Sequence, residues 1–76
     1  MKLPPVVIVS WDDAHVSNDS VDHAPKRQHT AGFLMRDDKA GVSVAAEIGE
    51  DPKPTDDVRD VTFIPRGMVV KVRRLR

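Results

Sequence analysis

The segment Val61-Thr-Phe-Ile-Pro-Arg-Gly-Met-Val-Val-Lys-Val-Arg-Arg-Leu75 constrains the fold more than any other part of the chain. Two apolar, β-branched runs are joined there by Pro65-Arg66-Gly67 alone. So short a link excludes a wide crossover, so the chain must turn sharply, with Pro fixing φ and Gly accepting a conformation that other residues resist. Strand, tight corner, strand is the arrangement that closes a small β-barrel. Barrels of this size serve mostly as binding modules, so recognition is expected ahead of catalysis.

The chain has 76 residues and no cysteine. That is one small domain, 1–76, and a chain of this length buries only about 60% of the surface its unfolded form exposes. Without disulfides or thiolate metal sites, stability must come from packing, and self-association is expected to help by covering strand edges. The absence of cysteine also fits a reducing cytoplasm. The apolar run near the N-terminus is confined to Val6–Val9 and is followed by Asp12 and Asp13, which does not fit a signal peptide. No stretch approaches the ~20 apolar residues needed to cross a bilayer.

Val6–Trp11 is β-branched and follows Pro4-Pro5, which reads as a first strand with Val7, Val9 and Trp11 on one face. Asp12–Gln28 is polar and without period, so a long loop is expected, of the kind that forms a lid over a site. His29–Arg36 and Val42–Ile48 are expected to form a hairpin about Asp37–Gly41, with a sharp bend at Gly32. In Val42–Ile48, Val42, Val44, Ala46 and Ile48 alternate with Ser43, Ala45 and Glu47, which predicts one buried face. Gly49–Asp57 is an acidic loop with two prolines. Arg59–Ile64 and Met68–Leu75 complete five strands, with Met68, Val70 and Val72 expected on one buried face. No helix longer than a turn is expected.

Net charge is zero, with twelve acids and twelve Lys and Arg, which argues against retention on nucleic acid by bulk electrostatics alone. The charges are unevenly placed. Every acid lies between Asp12 and Asp60, whereas the last sixteen residues carry five bases and no acid. A basic C-terminal strand protects a sheet edge from aggregation, or offers an anion-binding surface.

His15, His23 and His29 with Asp12, Asp13 and Asp22 do not follow a metal-ligand spacing, and no metal or other cofactor is expected. The acidic doublets at Asp12, Asp37 and Asp56 fall on adjacent residues, which on a strand face opposite ways and cannot form a catalytic dyad. No catalytic group is therefore assigned. The candidate ligand-binding residues are Trp11, Asp12, His29, Thr30, Lys39 and Arg66. Trp11 sits either in the core or at a rim where it can stack on a base. Arg66, held between Pro65 and Gly67, can reach a phosphate through both arms of its guanidinium. Lys39, Thr30 and Trp11 would line the same surface, and Arg66→Ala is expected to abolish ligand capture with the fold intact, while Val70→Asp unfolds the protein.

Two segments resemble the paired motifs of Sm and Sm-like proteins. Gly32-Phe-Leu-Met-Arg-Asp-Asp-Lys-Ala-Gly-Val-Ser-Val44 is similar to the first, and Ile64-Pro-Arg-Gly-Met-Val-Val70 to the second. The Asn that reads a base in that family is replaced by Gly41, and Met68 stands where a polar residue is usual, so only Arg66 carries over as an RNA contact. The likeness implies an all-β, five-stranded, strongly bent barrel of the SH3-like or Sm-like kind. Nearly the whole chain also resembles very small bacteriophage and prophage accessory proteins, through Trp11-Asp-Asp-Ala14, Thr30-Ala-Gly-Phe-Leu34 and the Ile64–Val70 segment. That resemblance implies a factor acting in the infected cell, in a class that includes inhibitors of host defence and proteins that sequester signalling nucleotides.

The expected function is therefore non-enzymatic capture of a small phosphorylated ligand or a host protein. An Sm-like RNA binder and a structural module of a phage complex are the alternatives, and no membrane partner is expected.

Overall fold

Strands form where β-branched residues cluster between breaks rich in Pro, Gly and Asp. The computed structural model describes residues 3–13, 26–49 and 57–75. It contains β1 (Val6–Asp13), β2 (Lys26–Asp37), β3 (Gly41–Ile48), β4 (Val58–Pro65), a single 3-10 turn (Arg66–Met68) and β5 (Val69–Arg74). All pairings are antiparallel, and they build one five-stranded sheet in the order β4-β3-β2-β1-β5. Among the described residues no ladder joins β4 to β5, so the sheet is not closed. No helix there is long and apolar enough to cross a membrane. The expected lid and most of the Gly49–Asp57 loop lie outside the described residues.

β2 is the spine of the sheet, and its two halves serve different neighbours. Lys26 to Phe33 pairs with β1, whereas Phe33 to Asp37 pairs with β3. The change of partner falls at Gly32-Phe33, where a Cβ on Gly32 would lie 2.5 Å from the Ala45 carbonyl oxygen. Only glycine lets the two backbones approach so closely where the partner changes.

The core demonstrates how far the sheet curls. Val7 and Val9 of β1 form a single buried cluster with Val42 and Val44 of β3 and Ile64 of β4. In a flat sheet β1 and β4, three strand spacings apart, would be separated by ~14 Å. Instead the sheet folds over its own inner face, and Trp11, Leu34, Met68, Val69 and Val72 close the margins of the cluster. Arg66–Met68 then carries the chain from one edge strand to the other and packs beside both β1 and β3.

Several expectations are corrected. Asp12, Asp13, Lys26, Arg27 and Gln28 belong to strands, because Asp12 pairs directly with Arg27 and the ladder continues through polar residues. The buried alternation in β3 fails beyond Val44: Ala45 is fully buried and Ala46 exposed. β3 leaves β2 at Ala45 and afterwards pairs with β4 alone, so the sheet around it changes at the point where the alternation fails. Val70 is not a core residue but is half exposed. The β1–β5 register runs from Ser10↔Lys71 to Trp11↔Val69, so Val70 is the additional residue of a β-bulge and the strict alternation Met68, Val70, Val72 is broken. Gly67 has no positive φ, and a Cβ there would meet nothing within 4 Å, so the corner does not require glycine.

Candidate functional site

The six candidate residues fall in three places. Trp11 and Thr30 share the inner face, where the indole Nε1–H donates to Thr30 Oγ1 at 2.9 Å and the ring packs against the core. This bond satisfies the one polar atom of a half-buried indole. Lys39 and Arg66 meet at the β2–β3 turn. Asp12 and His29 lie on the outer face of β1 and β2.

Arg66 is held by the turn beside it. Its Nε donates to the Asp38 carbonyl oxygen at 3.0 Å, its Nη2 donates to the same oxygen at 2.6 Å and to the Asp37 carboxylate, and its backbone N–H donates to Ala40 O at 3.0 Å. Asp38 organises that turn. Its Oδ1 accepts from Ala40 N at 2.9 Å and its other oxygen accepts from Arg36. The Arg36 hydrogen bond, reinforced by the Ala40 and Gly41 amides, holds the Asp38 carboxyl below its usual range even against partial desolvation. The guanidinium that the sequence offers to a phosphate is thus engaged by a carboxylate and a carbonyl of its own chain, while Lys39 stands exposed on the turn.

The outer face of β1, β2 and β5 has a different character. Alternation puts Ile8, Ser10 and Asp12 of β1 on that face, and the register sets His29 and Lys71 on either side of Ser10, with Arg73 beside Ile8. These residues line an open depression of about 280 Å³: Ile8, Ser10, His29, Lys71 and Arg73. Ser10 Oγ and His29 Nδ1 are hydrogen-bonded at 2.8 Å.

Among the described residues no carboxylate lines the depression. Asp12, one row further along, is bound by Arg27, and this hydrogen bond and ion pair hold the Arg27 guanidinium above its usual range. Among the described residues the ion pairs employ Arg27, Arg36, Arg59 and Arg66, and neither Lys71 nor Arg73 takes part in one. Two permanent cations, an imidazole and a hydroxyl therefore converge over an apolar floor. Such a set suits a small oxyanion.

Ser10, Lys71 and Arg73 are absent from the sequence-derived set. The signal for them was the acid-free, basic C-terminal strand, but its register against β1 decides which of its bases faces Ser10. Among the described residues no group of three or more His, Cys, Asp or Glu is placed to hold a metal ion. His15, His23 and Asp22 lie outside them.

The chain matches no family model, no curated protein and no solved structure.

Proposed function

We propose that the protein is a non-enzymatic binding module that captures a small phosphorylated ligand on the outer face of β1, β2 and β5. The observation that carries this reading is the convergence of His29, Lys71 and Arg73 around Ser10, with no carboxylate among the described residues lining the depression. The Ile8 floor suits a ligand that joins a phosphate to a less polar body. The resemblance to phage accessory proteins supports a signalling nucleotide as that ligand, and a role against host defence in the bacterial cytoplasm.

The strand order, the fold-over of the sheet and the one-turn link before β5 support an SH3-like or Sm-like barrel. The Sm-like RNA reading has less behind it, because Arg66, its one carried-over contact, already binds Asp37 and Asp38. Calorimetric titration with mononucleotides and their parent nucleosides tests the proposal. Phosphorylated members bind, nucleosides do not, and the double variant Lys71→Ala/Arg73→Ala loses at least about tenfold in affinity, as the removal of two charge-assisted contacts requires. Equal binding by the double variant would sink the site.

A further inference from the structure

The Ser10–His29 pair has a property beyond its charge. A neutral imidazole in this bond has two forms. If Nδ1 is unprotonated it accepts from Ser10, and the hydroxyl proton is unavailable to a ligand. If Nδ1 carries the proton, Nε2 offers a lone pair, which repels an anion. Either way one donor is spent. A protonated ring behaves differently, because Nδ1–H donates to Ser10 Oγ, which leaves both Nε2–H and the Ser10 hydroxyl proton for a ligand. Lys71 and Arg73 face His29 from β5, Ser10 and Asp12 from β1, and Arg27 follows along β2, where it is paired to Asp12. A dianion seated among Lys71, Arg73 and the ring attracts a third positive charge, that of the protonated imidazole.

We propose that the depression binds a doubly charged tetrahedral oxyanion together with one proton, taken up by His29, while Ser10 turns its hydroxyl from the imidazole to the anion. This rests on the phosphorylated-ligand reading above and specifies its ligand class: a terminal phosphate dianion is preferred to an internal phosphodiester, which carries one charge.

The probes are sulfate, a dianion throughout the working range, and dimethyl phosphate, a monoanion throughout it, so neither ligand's own titration intrudes. Sulfate is expected to bind more tightly than dimethyl phosphate. Its affinity should fall by about tenfold per pH unit on the alkaline side of the interval in which imidazole changes charge. Calorimetry in buffers of different ionisation enthalpy should record uptake of close to one proton. His29→Gln should flatten the pH profile, whereas Ser10→Ala should keep the slope at several-fold lower affinity. All these residues are on the solvent face, and thermal melts check that the variants fold. Sulfate binding that is independent of pH, or a slope that survives in His29→Gln, overturns the proton linkage and leaves the anion site standing. If neither probe binds at any pH, both proposals fall.

Discussion

Arg66 Nε donates to the carbonyl oxygen of Asp38 at 3.0 Å and thereby ties the corner before β5 to the turn of the β2–β3 hairpin. The same guanidinium reaches the Asp37 carboxylate, so the two ends of the fold that meet at this corner share one side chain. Arg66→Ala is expected to destabilise the protein by about 1–2 kcal/mol, the range for charge-assisted bonds reduced for partial exposure. Anion binding at Ser10 should be retained. Lys at this position restores little, since a point charge cannot meet both acceptors as a planar fork does. Urea denaturation measures the difference; a midpoint equal to that of the parent would mean that the latch contributes nothing.

Gly32 and Gly67 should respond in opposite ways to alanine. At Gly32 the new Cβ would press on the Ala45 carbonyl, backbone that cannot rotate aside, and a cost of about 1–3 kcal/mol is expected. At Gly67 the space is open, and a neutral to slightly stabilising effect of up to about 1 kcal/mol follows from the reduced freedom of the unfolded chain. Thermal melts of the two variants side by side decide it, and equal losses would refute the close approach at Gly32.

Val70 and Ile64 distinguish the bulge from the core. Val70 is 50% exposed, so Val70→Asp should change stability by less than about 1 kcal/mol, as surface substitutions usually do. Ile64 is 1% exposed in the middle of the buried cluster, so Ile64→Ala should cost about 2–5 kcal/mol. Unfolding by Val70→Asp would restore the unbroken alternation and remove the bulge.

Acid should loosen the β2–β3 turn. The folded Asp38 carboxyl is held below the ordinary value of 3.8, chiefly by Arg36, so it contributes stability above that value and loses it as pH falls through the lower, folded one. Asp38→Asn should be less stable than the parent at pH 6, with the gap closing below about pH 4. A gap that stays constant down to pH 2 would contradict the assignment.

Self-association is expected from the sheet edges. β4 and β5 are the outer strands, and β4 exposes Val61 and Phe63, with Arg36 stacked over the Phe63 ring at 5.7 Å from its centroid. Exposed apolar edge strands invite pairing with another chain. Light scattering at micromolar concentration should report a dimer or larger assembly, reduced by Phe63→Lys. A monomer throughout that range would end the idea.

The existence of five strands was legible because it depends on local chemistry. β-Branched runs at Val6–Val9, Val42–Val44 and Val69–Val72 favour extended backbone, and Pro, Gly and Asp interrupt it at Asp37–Gly41 and Pro65–Gly67. Val7 and Val9 as core were legible for the same reason. Which residue faces which was not, because a bulge is a property of two strands in register and neither sequence announces it. The extra residue at Val70 turned one predicted core position to solvent while Lys71 and Arg73 shared the face of Ser10. Likewise the sequence marks Arg66 as a base on a tight corner, but only the folded sheet brings it against Asp37 and Asp38. Tertiary pairing alone therefore decided that one base ties the corner to the β2–β3 turn while two others share the outer face with Ser10 and His29.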